Sequence, residues 1–398
     1  MRILYVAMRY DYGRPDQGES FEHWNFYDSL SRMGHEILYF DFPSLIAQLG
    51  RDGMNAHLIE TVRLERPELM FSVLFRDEFD RATIRTISNE TGTTTVNWFC
   101  DDVWRFDDFT KIWAPCFNWS VTTATSALPQ YAKIGVGNVI KSQWACNPHI
   151  YRRLPRPAEP RYDVSFIGQP HGVRREIVRA LRDEGLRVEA WGQGWENGRI
   201  AQDGMIDVFN DSRINLNLAN ASQPPAGIGE RTRERAIALA ASTLRSIPGT
   251  GPIREFGRRV LYGHRGEAGD PAAADTPATP PELTANPGRS LDELDAWCRS
   301  ATPSQMKGRN FEVPGCGGFL LTDPAVELSE CYVPGREVVV FESIRDLIEK
   351  SRFYMRHDDE RRAIAEAGYQ RTLREHTYEH RFNDIFRVIF GERSRERR

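Results

Sequence analysis

The stretch RILYVAMRYDYGRPDQGESFEHWNFYDSLSRMGHEILYFD (residues 2–41) decides the fold class. Residues 2–8 form a short apolar run that ends abruptly at polar RYDYGR, as a buried strand does. Over 17–33, Phe21, Trp24, Phe26, Tyr27 and Leu30 recur near helical spacing, and Gly34 stops the helix. EILYFD (36–41) is then a second short strand. Strand, helix and strand joined by brief turns imply a parallel sheet with right-handed crossovers.

The same alternation runs on in both directions from that reading. A helix is expected over 53–66, ended by Pro67, with a strand at LMFSVLF (69–75), a helix over 79–91 and a strand from Thr94 to Phe99. Apolar segments at Trp119–Thr122 and Asn138–Ile140 fit two more strands, which completes a doubly wound α/β domain over 1–150. YRRLPRPAEPR (151–161), basic and proline-rich, reads as a linker. The alternation restarts with DVSFIG (163–168), a helix from Arg174 to Asp183, LRVEAWG (186–192) and Ile214 to Leu218, opening a second domain over 162–376. An Ala-, Pro-, Gly- and Thr-rich insertion at about 223–303, helical near 228–246 and otherwise mobile or loop-like, interrupts it. The pattern resumes with a helix start near Phe311, strands at 318–323 and 337–341, and helices over 343–355, 358–374 and 378–390, before a charged tail, ERSRERR.

Composition narrows the function classes. A chain of 398 residues with 40% hydrophobic content suits two domains with sizeable cores. Its 52 basic and 56 acidic residues leave a net charge of −4, so nothing draws the whole molecule to nucleic acid, and no nucleic-acid partner is expected. The six cysteines include no C-x-x-C pair, no run reaches the ~18 apolar residues of a membrane span, and no secretory leader is evident. Reduced structural cysteines and a cytoplasmic location are expected. Without an H-E-x-x-H or D-x-D cluster, no metal site is expected.

The segment most suggestive of chemistry is QMKGRNFEVPGCGGFLLTD (305–323). Lys307 and Arg309 precede Glu312 at what reads as a helix start, and Gly315, Gly317 and Gly318 lead into a strand. Cations and free backbone N–H groups neutralise a pyrophosphate. A carboxylate beside them accepts hydrogen bonds from ribose hydroxyls, and glycines let the backbone approach a ligand. A capped surface helix with a glycine turn has the same pattern. In the first domain, NWFCDD (97–102) puts Asp101 and Asp102 at the carboxyl end of the fourth strand, where ligands bind in open α/β sheets. A carboxylate there suits a general base or a group stabilising an oxocarbenium-like sugar. Asp102 is preferred, because Asp101 suits the cap of the next helix. The loop 9–20 adds Arg9, Gly18 and Glu19, and His171 lies in the corresponding loop of the second domain. Trp98, Trp104 and Trp113 fall near the same side, where no more than one is expected to touch ligand.

RNFEVPGCGGFLLTD and the sequence from EVVVF to EHRF resemble the C-terminal region of the CgeB-like family, and more broadly the retaining glycosyltransferases of the GT-B type. The resemblance is specific over about 305–381 and looser through YDVSFIG, AWGQGW and INLNLA upstream. It implies two Rossmann-like domains facing a cleft, with a C-terminal helix that crosses back to the first domain. It implies a nucleotide-sugar donor, UDP-sugar by default, with no further cofactor, and a sugar, glycan or other hydroxyl acceptor. By position, Glu312 matches the ribose-binding carboxylate, and Lys307 and Arg309 match groups that face the diphosphate. Gly168 and Gln169 match the cleft-facing loop after the first strand of the second domain, and Trp191 and Gly192 a loop that packs on the base. Many relatives carry a second Glu eight residues earlier, where this chain has Ser304. The leading expectation is a glycosyltransferase. A nucleotide-sugar epimerase on the same fold and a non-catalytic nucleotide- or sugar-binding protein stand beside it. The helix 377–390 also admits a peripheral membrane contact, though packing on the first domain is the expected role.

Overall fold

The structure, a computed structural model, describes residues 1–155, 159–219, 289–300 and 305–391. Two wholly parallel sheets organise the described residues. The first holds β1 (Arg2–Val6), β2 (Glu36–Phe40), β3 (Leu69–Ser72), β4 (Thr94–Phe99), β5 (Trp119–Thr122) and β6 (Val139–Lys141) in the order β2-β1-β3-β4-β5-β6. The second holds β7 (Tyr162–Ile167), β8 (Val188–Trp191), β9 (Ser212–Asn217), β10 (Leu320–Thr322) and β11 (Val339–Val340) in the order β11-β10-β9-β7-β8. Both therefore begin in mid-sheet and wind outward in both directions. The switch points fall between β1 and β3 and between β7 and β9, where a crevice opens beyond the carboxyl ends of the strands. The near-continuous apolar strands follow from this, since a parallel sheet is covered on both faces.

The helices follow local signals. The turn before Gly34 is built from a π-helical stretch, His23–Tyr27, and α1 (Asp28–Arg32). α2 (Phe42–Glu65) starts eleven residues earlier than the sequence pattern suggests, because Pro43 opens a first segment and Gly50, at φ 69°, joins it to the second. α3 (Arg81–Glu90) precedes β4. After β4 come α4 (Asp102–Arg105), a π turn at Phe106–Thr110 and α5 (Lys111–Trp113), while α6 (Leu128–Lys133) links β5 to β6. The second sheet is flanked by α7 (Arg174–Asp183) and α8 (Gln202–Asn210). Within the stretch expected to be loop-like, Leu291–Ser300 is a helix, α9. Leu294 and Trp297 are buried, and Asp295 accepts from the backbone N–H of Ile344 (2.6 Å), so it fastens the start of α12 (Ile344–Arg356). The expected helix at 228–246, Ser304 and the tail 392–398 lie outside the described residues.

The last helix, α14 (Tyr378–Phe390), follows α13 (Asp358–Glu375) and carries a capping box formed by Thr377 and His380. It packs on the first sheet's layer. Tyr378 and Phe382 meet Phe26 at 5.1 and 5.8 Å between ring centroids, and Phe382 meets Phe71 at 5.6 Å. Arg381 donates to the carbonyls of Gln143 and Trp144, and Tyr378 N–H donates to Cys146 O. One apolar cluster consequently runs from Ile3, Tyr5 and Phe26 through Phe382 to Phe311 and Tyr332 of the second domain.

Candidate active site

At the second sheet's switch point stands Arg174, the first residue of α7. Its Nε donates to Leu218 O beyond β9 (2.9 Å) and its Nη1 to Gln169 O beyond β7 (2.8 Å). Burial pulls its pKa down to about 10, with Asp323 opposing and Arg309 adding to the fall. A half-buried cation held by two carbonyls, next to a second arginine, is arranged to receive an anion.

The second arginine sits on α10 (Arg309–Gly315). Arg309 pairs with Glu312 of the same short helix. Burial works against the charge on Arg309, and Glu312 and Tyr151 more than offset it. Glu312 itself is 0% exposed, and its Oε1 has no hydrogen-bond partner. The carboxylate expected to face ribose is thus enclosed under the chain at Gly308, with one acceptor atom unused. Two residues before Arg309, Lys307 points the other way. Its backbone N–H donates to Asn310 Oδ1 (2.9 Å), and its Nζ reaches Asp101 Oδ1 of the first domain at 3.1 Å.

The two aspartates stand in different surroundings. Asp102 is fully buried and accepts from Thr110 Oγ1 (2.5 Å) and Tyr131 OH (2.8 Å). Burial raises its pKa while those donors oppose the rise. It anchors α4 and α6 within the core. Asp101 takes the cap position of α4 through its carbonyl, which accepts from Trp104 and Arg105 N–H, and its side chain pairs with Lys307.

Other expected site residues have packing roles. A Cβ on Gly317, at φ 68°, would run into Arg153, and one on Gly318 would meet Asn215 and Phe209 O, so these glycines close the turn into β10. Trp191 is buried and meets Tyr162 in a T-shaped contact (5.1 Å). Gly192, at φ 140°, lies against Gly168 O, the carbonyl that also accepts from Trp195 Nε1 at 2.7 Å. Gly168 and Gln169 do lie at the crevice, and His171 is exposed in the same loop. In the first domain, Arg9 pairs with Glu19 (3.4 Å) and His23 with Glu19 (3.3 Å), while Gly18, at φ 78°, turns the loop. Among the described residues no cluster of three His, Cys, Asp or Glu side chains could hold a metal ion.

The sequence reading passed over Glu22. Burial pushes its carboxyl up to about 7, and Asp11 and Asp101 push the same way. Between about 4.5 and about 7 the native carboxyl keeps a proton that the unfolded chain has released, so this group lowers stability as pH rises through that window. Glu22→Gln should therefore gain stability relative to the parent chain at pH 8 but not at pH 4. Denaturant midpoints at the two pH values test it, and an equal difference at both would refute the assignment.

A family of glycosyl transferase-like domains matches residues 174–246 and 286–387. The chain carries a glycosyl transferase-like domain. The match begins at Arg174 and takes in Lys307, Arg309 and Glu312. Among solved structures, HepE of Anabaena in complex with UDP-glucose aligns over 98% of this chain and 99% of that one, with 10% identity and a TM-score of 0.57. Sucrose-phosphate synthase of Thermosynechococcus elongatus aligns over the same shares, 98% and 99%, at 8% identity and a TM-score of 0.53. A glycosyltransferase of Rickettsia africae gives 9% identity and 0.53 over 98% and 99%. At such identities the likeness is one of fold, and that fold is GT-B. No curated protein matches the sequence. In this glycosyltransferase fold the cleft between the two sheets is where Lys307 and Asp101 meet.

Proposed function

We propose that the chain transfers a sugar from a nucleoside-diphosphate sugar, UDP-sugar first among them, to an acceptor hydroxyl. The observation that carries this is the pair of arginines at the second sheet's crevice, Arg174 beside Arg309, with Lys307 reaching Asp101 across the cleft. These cations suit a diphosphate leaving group, whose charge grows as the glycosidic bond breaks. When a donor binds, its diphosphate competes with Asp101 for Lys307, and the freed carboxylate faces the transferring sugar and its acceptor. The unused Oε1 of Glu312 suits a ribose hydroxyl once the chain at Gly308 shifts. HepE, the fold neighbour, was captured with UDP-glucose, which supports uridine as the base.

On this reading residues 1–150 serve the acceptor, 151–161 link, 162–376 hold the donor around the insertion at about 223–303, and the crossing helix and tail occupy 377–398. The chain belongs with the CgeB-like group and needs no added cofactor. It works in the cytoplasm, a reading supported by Cys100, Cys116, Cys146 and Cys331, which stand as thiols. No described helix is long and apolar enough to cross a membrane. Thermal-shift titration with UDP, GDP, ADP and their glucose conjugates tests the donor assignment: one base should raise the melting temperature by mass action, and no shift with any of them would sink it.

A further inference from the structure

We infer that Tyr12, Phe75 and Trp104 form an acceptor subsite that stacks on a neutral sugar ring, so the acceptor is itself a saccharide or glycoside; this rests on the glycosyltransferase reading.

Most aromatic side chains of the described residues are buried. Of the few well-exposed ones, Tyr12 (57%) and Trp104 (56%) both stand beyond the carboxyl edge of the first sheet, Tyr12 in the loop after β1 and Trp104 on α4. Tyr12 follows β1 and Phe75 follows β3, the two strands that flank the switch point, and Trp104 follows the neighbouring β4. They are joined into one bracket. The Tyr12 ring meets Phe75 edge-on at 5.9 Å. Arg105 Nη2 donates to Phe75 O at 2.8 Å, and its guanidinium lies over Trp104 at 5.6 Å and over Phe109 at 4.1 Å. Arg105 thus holds two loops in register without using a carboxylate.

Tyr12 is also held in a conformation that a core packing role does not explain. Its φ is 52°, one of two positive values among non-glycine described residues, and the adjoining Gly13 sits against Pro43. A left-handed tyrosine is strained and persists where the surroundings impose it. Here the strain presents an aromatic face to solvent. The second domain fixes the same loop, since Arg199 donates to Asp11 Oδ2 (2.6 Å) and Gln17 O (2.8 Å). The bracket borders Asp101, whose carbonyl receives the N–H groups of Trp104 and Arg105.

Charge selects the occupant. Beside the bracket Asp101 pairs with Lys307 and Asp107 with Lys111, so the charges there are matched. A charge-matched rim offers no surplus cation to a phosphate-bearing lipid or a nucleic acid, and its carboxylates accept hydrogen bonds from hydroxyls. The apolar C–H face of a pyranose matches the negative face of an aromatic ring.

The test uses saturation-transfer NMR on the full chain with methyl glucoside, galactoside and mannoside and with a short polyprenyl phosphate, beside UDP binding measured on the same samples. At least one glycoside should bind, at least tenfold more weakly to Trp104→Ala and Tyr12→Gly, with Trp104→Phe restoring it and UDP affinity unchanged throughout. Glycine keeps the backbone of residue 12 relaxed, so its loss is that of the ring. Glycoside binding that survives both variants, or binding of the polyprenyl phosphate alone, overturns the subsite, as does the absence of any glycoside signal. If UDP still binds in those cases the donor reading stands. A chain that binds glycosides through Tyr12 and Trp104 but no nucleotide keeps the subsite and loses the donor reading.

Discussion

Lys307→Met is expected to cut sugar transfer by about 10²–10³ in turnover, the usual loss when one positioned stabiliser of a leaving charge is removed, while barely moving the unfolding midpoint. The second half follows from exposure. The Lys307 and Asp101 side chains are 36% and 27% exposed, so their ion pair is worth no more than about 1 kcal/mol. The pair's value is positional: it sets a cation of the donor side and a carboxylate of the acceptor side 3.1 Å apart. Asp101→Asn should also slow transfer with little change in stability, whereas Asp102→Asn should destabilise the first domain, because Asp102 accepts from Thr110 and Tyr131 inside the core. Steady-state kinetics beside denaturant midpoints check both. Undiminished turnover in Lys307→Met would remove this residue from the chemistry.

Glu312→Ala should act in the opposite proportion on stability. The carboxylate is fully enclosed and paired with Arg309, whose side chain is 27% exposed. Removing one partner of such a pair leaves a poorly solvated charge, at a cost of about 3 kcal/mol. UDP-dependent stabilisation should vanish as well. The double variant Arg309→Met/Glu312→Leu separates the two effects, since a buried pair replaced by apolar groups of similar size recovers stability. It should unfold near the parent midpoint and still gain nothing from UDP. If UDP stabilises the double variant as it does the parent, the nucleotide does not use this pair.

Much of the fold was legible because parallel strands buried on both faces read as short apolar runs. β4 and β5 and helix α7 fall within the residues that the pattern marks. What sequence could not supply was direction. Asp101 and Asp102 are neighbours in sequence, yet one turns to the cleft and the other to Tyr131, a choice made by how α4 packs. Glycines at 317 and 318 suggested a ligand cradle, but they are required by Arg153 and Asn215 of the protein itself. Arg174 looked like an ordinary helix residue, since its two carbonyl partners, Gln169 and Leu218, come together only when β7 and β9 lie side by side. Glu22 lay hidden for a related reason: its neighbours Asp11 and Asp101 are distant in sequence. The helix at Leu291–Ser300 was obscured by the composition of the residues before it.

The position of α14 has a consequence for biosynthesis. Phe26 and Phe71 lie in the part of the chain made first, while Phe382, the side chain that covers them, is made near its end. An emerging first domain therefore waits on the ribosome with an apolar patch open, through the translation of residues 151–382 at roughly 5–20 per second. During that interval the patch is a natural binding place for a chaperone, and a nascent chain arrested before residue 378 should be held in such a complex instead of released as a finished domain.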